Sequence, residues 1–365
     1  MHRRSRGWSC AAGVFLLATS VWGQQPSLSV DRDPVPSPDG DAVVQTAPPV
    51  PAAQSARTVE RAAGGRYTLR AEVGEVRLNA SVLENGRAVQ TLTQDAFHVF
   101  EDGVPQTIAS FRHEDLPVSL GILIDSSGSM YDKREAVGKA SLDFVRLSNP
   151  KDEAFLVDFS DEAFIDQDFT SDVKKLEDGL GYVKASGGTA IYDAVVASAD
   201  YLAKNAKLPK QVLLIVTDGD DNASGSTLED AIRRVQELDG PVIYCVGLLF
   251  GPDSNKSESR HARRVLETLA AQTGGLAYFP RKLSEVDSIA TEVAQDIRQQ
   301  YTISYRSTKP AALGGYRQVH VDAKGKGFNR LEVRTRSGYY PKVGGAPAKG
   351  DGTPDPGLAP GSKHP

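Results

Sequence analysis

The sequence predicts an α/β fold: a doubly wound, mostly parallel sheet with helices on both faces, inserted in or flanked by a small β-sandwich made from its N- and C-terminal segments. Three observations predict it. Continuous apolar runs at Val118–Ile124, Val212–Val216 and Pro241–Leu248 read as strands buried on both faces. Stretches of helical period, about ten to eighteen residues long, lie between such runs. On either side of residues 117–300, strict alternation of apolar and polar residues takes over.

Taken in order, residues 1–23 read as a secretory signal. Arg3, Arg4 and Arg6 supply its charged start, Cys10–Val21 its apolar stretch, and Val21-Trp22-Gly23 a cleavage site before Gln24. Roughly fourteen apolar-leaning residues are short for a bilayer span, which needs about twenty; an uncleaved anchor is the alternative reading. Residues 24–64, rich in Pro, Ala, Ser and Asp, read as a disordered linker. An N-terminal β segment follows at 65–116. There Val76, Leu78, Ala80 and Val82 alternate with polar residues, Asn85-Gly86 marks a turn, and strands are expected around Phe97–Val99 and Gln106–Phe111.

Within 117–300, helices are expected near 130–147, 171–182, 190–205, 226–238, 259–272 and 283–299. The first should bury Ala136, Ala140, Phe144 and Leu147 and end at Asn149-Pro150. Glu153–Phe159 and Ala163–Phe169 read as strands paired through Ser160-Asp161-Glu162. Alternation returns in a C-terminal β segment, 301–342, at Tyr301, Ile303 and Tyr305, at Val319 and Val321, and at Leu331 and Val333. Neither flank has enough strands for a stable sheet alone, so the two are expected to pair. Residues 343–365 read as a disordered tail.

Composition narrows the function. The net charge is −5, and loss of residues 1–23, which carry three arginines and no acid, takes it down by three to −8. An acidic chain without a basic stripe is a poor match for nucleic acid. Beyond residue 23 the one cysteine is Cys245, in an apolar run, so no internal disulfide is expected and the thiol reads as core.

Three separate segments carry oxygen donors after buried runs or ahead of a helix. They are Asp125-Ser126-Ser127-Gly128-Ser129, Gly187-Gly188-Thr189 and Thr217-Asp218-Gly219. Hydroxyls with a few carboxylates suit a hard divalent cation. In a doubly wound sheet the strands' carboxyl ends form the ligand edge, so these segments can meet there. The glycines ease the turn at 128 and the close approach of Thr189, and a helix expected to start near Met130 would add its positive end.

Asp-x-Ser-x-Ser, a distant Thr and a distant Asp resemble the metal-ion-dependent adhesion site of von Willebrand factor type A domains. Asp125-Ser126-Ser127-Gly128-Ser129-Met130 and Gly188-Thr189-Ala190-Ile191-Tyr192-Asp193-Ala194 carry the resemblance over about 117–300. Leu92-Thr93-Gln94-Asp95-Ala96-Phe97 and Val99-Phe100-Glu101-Asp102-Gly103 are similar to segments of exported bacterial proteins with one such domain. The resemblance implies bound Mg²⁺, or Mn²⁺ or Ca²⁺. Ser127 and Ser129 would ligate directly, and Asp125, Thr189 and Asp218 directly or through water. It also implies a protein partner presenting Asp or Glu.

Other readings compete. The serines could simply cap a helix. Asp218, Asp220, Asn222 and Glu229 fit four positions of a calcium loop, but Ala223 stands where that loop needs Gly. A metal-dependent hydrolase would need a base near the ion, and His98, His113, His261, His320 and His364 are scattered. No nucleophile elbow, P-loop or zinc-protease motif is present. The expectation is therefore a periplasmic or secreted binding protein and not an enzyme, with the loop 249–258 at the rim selecting the partner. A purely structural metal is the third possibility.

Overall fold

The structure, a computed structural model, describes residues 60–61, 67–68, 74–147, 149–181, 186–250 and 256–342. The signal at 1–23, nearly all of the linker, residues 251–255 of the rim loop, the tail at 343–365 and His364 lie outside the described residues. Among those described, no helix is long and apolar enough to cross a membrane.

The N-terminal flank supplies β1 (Glu60–Arg61), β2 (Tyr67–Thr68), β3 (Glu75–Glu84), β4 (Arg87–Ala88), β5 (Phe97–Glu101), β6 (Val104–Gln106) and β7 (Ile108–Arg112). β3 turns into β4 at Asn85 and Gly86, both with positive φ, the backbone a tight antiparallel hairpin demands. The expected strand Gln106–Phe111 is in fact two. The chain breaks at Thr107, leaving β6 beside β5 in one sheet and sending β7 into another.

Then come the parallel strands and their crossovers: β8 (Val118–Asp125), α1 (Arg134–Leu147), β9 (Glu153–Phe159), β10 (Ala163–Thr170), α2 (Val173–Leu180), α3 (Ile191–Asn205), β11 (Lys210–Thr217), α4 (Leu228–Glu237), β12 (Val242–Gly247), α5 (Lys256–Thr273), β13 (Ala277–Tyr278) and α6 (Val286–Arg298). They form one six-stranded sheet in the order β10-β9-β8-β11-β12-β13, parallel except for the β9/β10 hairpin. Every residue of β8 is buried, as a strand covered on both faces requires. One apolar cluster packs Leu120, Ile122 and Ile124 against α1, α2 and α6. The other packs Leu123, Leu213 and Ile243 against α3, α4 and α5. Cys245 is buried there, and burial pushes its thiol well above the usual range, consistent with a packing role.

α1 departs from expectation. It begins at Arg134, after a 3₁₀ turn over Gly128–Met130, and not at Met130. Its buried face is Val137, Ala140, Ser141 and Phe144, whereas Leu147 is 46% exposed.

The C-terminal flank adds β14 (Tyr301–Arg306), β15 (Arg317–Ala323), β16 (Glu332–Arg334) and β17 (Gly338–Tyr339). Leu331 stands just before β16, outside it. The two flanks interleave. β14 lies between β3 and β7, and β15 pairs with β5. The resulting sheets run β16-β3-β14-β7 and β17-β15-β5-β6, and one cluster takes Leu78, Val82, Phe97, Val99, Tyr301, Ile303, Val319 and Val321 from both.

Inside this flank lies a buried ion pair. The Glu101 carboxylate accepts from Arg317 Nη1 at 3.2 Å, Tyr305 Oη at 2.8 Å, Ser307 Oγ at 2.6 Å and Tyr339 Oη at 2.9 Å. The flank grips the α/β unit at helix C-termini. Arg334 Nη2 donates to Asp296 of α6 at 2.6 and 2.7 Å, Arg336 pairs with Asp239 beyond α4, and Ser337 N donates to Gln272 O of α5 at 3.2 Å. These contacts lie at the end opposite the strands' carboxyl termini.

At that same end Lys210 Nζ, buried, donates to Ile297 O at 2.5 Å. Burial lowers its pKa to about 8, against partial opposition from Asp115, Asp296 and Asp152.

Two outcomes follow from these buried charges. Glu101→Leu strands the Arg317 guanidinium and is expected to cost about 3–5 kcal/mol, read as a lower midpoint in chemical denaturation; an unchanged midpoint contradicts it. Between about pH 8 and the ordinary 10.5, folded Lys210 is neutral while the unfolded chain still binds the proton, so its stability contribution rises with pH. Stability of wild type relative to Lys210→Met is expected to climb across that window by about 3 kcal/mol in urea titrations.

Candidate functional site

β8 and β11 are neighbours, yet their crossovers leave to opposite faces of the sheet, so a crevice opens beyond their carboxyl ends. Asp125 closes β8, Thr217 closes β11 and Asp218 follows it. The two ends are tied together. Thr217 Oγ1 donates to Asp125 Oδ2 at 2.6 Å, and Ser127 N donates to Asp125 Oδ1 at 2.8 Å. Asp125 is fully buried, and burial pushes its carboxyl above the usual range. Hydrogen bonds from Ser127 and Thr217 oppose that rise, and the charge of Asp218 adds to it.

The 3₁₀ turn over Gly128–Met130 swings Ser129 back toward β11. Ser127 Oγ and Ser129 Oγ stand 3.1 Å apart, and Ser129 Oγ donates to Asp218 Oδ1 at 2.8 Å. Ser127 occupies the cap position of that turn without a side-chain cap bond, so capping does not explain its hydroxyl. Thr189 arrives from the third segment. Its N donates to Asn222 Oδ1 at 2.9 Å, and a Cβ on Gly219 would meet its Oγ1 at 3.6 Å. The three segments therefore converge on one edge: hydrogen bonds run from Asp125 through Ser127 and Ser129 to Asp218, and Thr189 Oγ1 lies beside Gly219.

Gly187 and Gly188 make this approach possible. Gly187 has φ +80°, and a Cβ on Gly188 would come within 2.6 Å of Asn222 Oδ1 and 2.9 Å of Asp161 Oδ1. Gly188 N donates to that Asp161 oxygen at 2.8 Å.

Two carboxylates and three hydroxyls, with no nitrogen or sulfur among them, have the chemistry that would suit a hard divalent cation. Ser129 gives its hydrogen to Asp218 and keeps its lone pairs, as a ligating hydroxyl must. Among the described residues, no group of three or more His, Cys, Asp and Glu side chains is gathered for a metal; this set relies on hydroxyls instead.

Several residues to which the sequence reading gives no role hold the site in shape. Asp193 accepts from Gly225 N at 2.8 Å and Ser226 N at 3.0 Å, Asp221 accepts from Tyr192 N at 3.1 Å, and Ser126 Oγ donates to Asp158 at 2.9 Å. Lys133 pairs with Asp218 Oδ2. The calcium-loop alternative is not assembled, because Asn222 is spent on Thr189 and Glu229 sits exposed in α4. Of the rim loop, Phe250 lies 5.9 Å from the Lys133 ammonium.

Residues 120–220 match the family model described as von Willebrand factor type A domain. Over those residues the chain is similar to a von Willebrand factor type A domain. None of the curated proteins matches its sequence. Among solved structures, it is similar to a von Willebrand factor type A protein from Catenulispora acidiphila at 16% identity. That match covers 72% of this chain and 73% of the other, with a TM-score of 0.42. The vWF domain of the type V pili tip protein Mfa5 from Porphyromonas gingivalis is similar at 13% identity, over 50% and 95% of the two chains, with a TM-score of 0.41. Proximal thread matrix protein 1 from the mussel byssus, solved with a zinc-occupied MIDAS motif, is similar at 18% identity, over 55% and 50%, with a TM-score of 0.41. The matched stretch lies within the α/β unit, from β8 to just beyond β11.

Asn222→Ala removes the acceptor for Thr189 N and is expected to cost about 1 kcal/mol. Thermal unfolding should show the lower midpoint; a melting curve identical to wild type contradicts the buttressing role.

Proposed function

We propose that this chain is an exported, metal-dependent protein-binding module. It offers an Asp or Glu of a partner protein a coordination position on a divalent cation, Mg²⁺ or alternatively Mn²⁺ or Ca²⁺, held by Asp125, Ser127, Ser129, Thr189 and Asp218. The observation that supports this proposal is the convergence of three oxygen-bearing segments at the sheet's switch point. When bound, such a cation supplies Lewis acidity toward a carboxylate.

The chain's own residues do the rest. The bonds from Thr217 and Ser127 N fix the Asp125 carboxylate before any ligand arrives, so little side-chain entropy remains to be lost. Asn222 and Asp161 set Thr189 and Gly188 by their backbones. The loop 249–258 is read as selecting among partners. We further read residues 65–116 and 301–342 as the two halves of one β-sandwich and 117–300 as a domain inserted between them. Residues 1–23 are read as directing export to the periplasm or beyond. With the flank gripping helix C-termini at one end, the donor edge is presented at the other.

The test is a Mn²⁺ titration of the full chain, followed by binding of a labelled Gly-Gly-Glu-Gly-Gly peptide. Wild type is expected to take up one Mn²⁺ and then retain the peptide until EDTA is added. Ser129→Ala and Asp125→Asn should each lower Mn²⁺ affinity at least about tenfold while keeping the far-ultraviolet circular dichroism of wild type. Absence of Mn²⁺ uptake would overturn the proposal. Uptake that raises the melting temperature without peptide retention would reduce the metal to a structural role.

A further inference from the structure

The donor edge contains a cation of its own. Lys133 sits between the 3₁₀ turn and α1, with its N donating to Met130 O at 2.9 Å and its O accepting from Val137 N at 3.0 Å. Met130 is fully buried, so this stretch of backbone is anchored. The side chain, 18% exposed, crosses the Phe250 ring and ends on Asp218 Oδ2, in a carboxylate that is itself 1% exposed. Asp218 is thereby shared between two donors from one segment: Ser129 on Oδ1 and Lys133 on Oδ2. An ordinary surface lysine would hold its ammonium out in water.

The charges decide what this does. Counted over the two donor carboxylates and the lysine alone, with Asp158, Asp161 and Asp221 engaged by hydroxyl or backbone donors of their own, Asp125 and Asp218 bring two negative charges and Lys133 returns one positive charge. A divalent cation meets a net charge of one negative in place of two, so its binding is weaker than the donor set alone allows. The loaded site is then left one positive, and a partner's carboxylate brings it to neutrality. Without Lys133, the loaded site would already be neutral, and the arriving carboxylate would create a buried net charge, which is costly.

We propose that Lys133 is a built-in counter-charge that weakens the site's grip on the divalent cation and strengthens the loaded site's grip on a carboxylate. This rests on the metal reading given above and goes beyond it by assigning partner affinity to a residue outside the donor set.

The experiment compares wild type, Lys133→Gln and Lys133→Arg in the full chain, by Mn²⁺ titration and by peptide binding at saturating Mn²⁺. Lys133→Gln is expected to bind Mn²⁺ roughly tenfold tighter and the glutamate peptide roughly tenfold more weakly. Lys133→Arg, which keeps the charge, should track wild type in both. Equal or weaker Mn²⁺ binding by Lys133→Gln overturns the inference, as does unchanged peptide binding at saturating metal. Loss of Mn²⁺ binding in Lys133→Gln and Lys133→Arg alike would show that the lysine acts through folding and not through charge. A wild type that takes up no Mn²⁺ overturns the metal reading itself, and so the two failures are told apart.

Discussion

One hydrogen bond, from Thr217 Oγ1 to Asp125 Oδ2, underlies the rest of the site. It joins the last residues of the two strands between which the crossovers change side. A carboxylate buried that deeply is costly unless its oxygens are occupied. Here they are held by a hydroxyl from one strand and the backbone N–H of the following loop. The bond therefore serves the fold and the site together. It closes the sheet at its switch point and fixes the direction from which Ser127 and Ser129 leave it. Because Asp218 is the next residue along the chain from Thr217, its position is settled by the same contact.

The flank answers a different demand. Strands at each end of the chain must find one another across the whole α/β unit, and period-two alternation offers no long-range address. The Glu101–Arg317 pair supplies one. Its hydrogen bonds gather Tyr305, Ser307 and Tyr339 around one carboxylate, and a register that displaced any of them would leave a buried charge short of partners. Arg334 and Arg336 of the flank then pair with acids at or beyond helix C-termini, and Arg298 at the end of α6 pairs back with Asp115, so the flank is joined at the pole opposite the donors.

How much of this was legible in the sequence depends on the range over which each signal acts. The strands at Val118–Ile124 and Val212–Val216 were readable because burial on both faces leaves an uninterrupted apolar run. The meeting of the three oxygen-bearing segments at one edge was legible because two of them directly follow buried strands and each carries its own pattern of small hydroxyl residues, glycine or aspartate. The corner at Thr107 was not, since no glycine, proline or turn pair stands at Gln106-Thr107-Ile108, where the chain passes from one sheet to the other. The start of α1 was placed too early because the 3₁₀ turn spaces its residues much as a helix would. Asn222 holding Thr189, and Lys133 reaching Asp218, act across 33 and 85 residues, and no local pattern marks either. A lysine read locally is a solvated charge; only the tertiary structure shows its ammonium on a carboxylate.

The way the α/β unit joins its flank also bears on mechanics. The chain enters through β7 and leaves through β14, which are hydrogen-bonded to each other from Arg112 and Thr302 onward, while β14 is paired along its length with β3. A tensile load applied to the α/β unit away from the flank would draw on both strands from the same end. The six pairs between β14 and β3 then meet that load along the strand axis, with their bonds lying across it. Such a ladder shears as a unit and does not peel open one bond at a time.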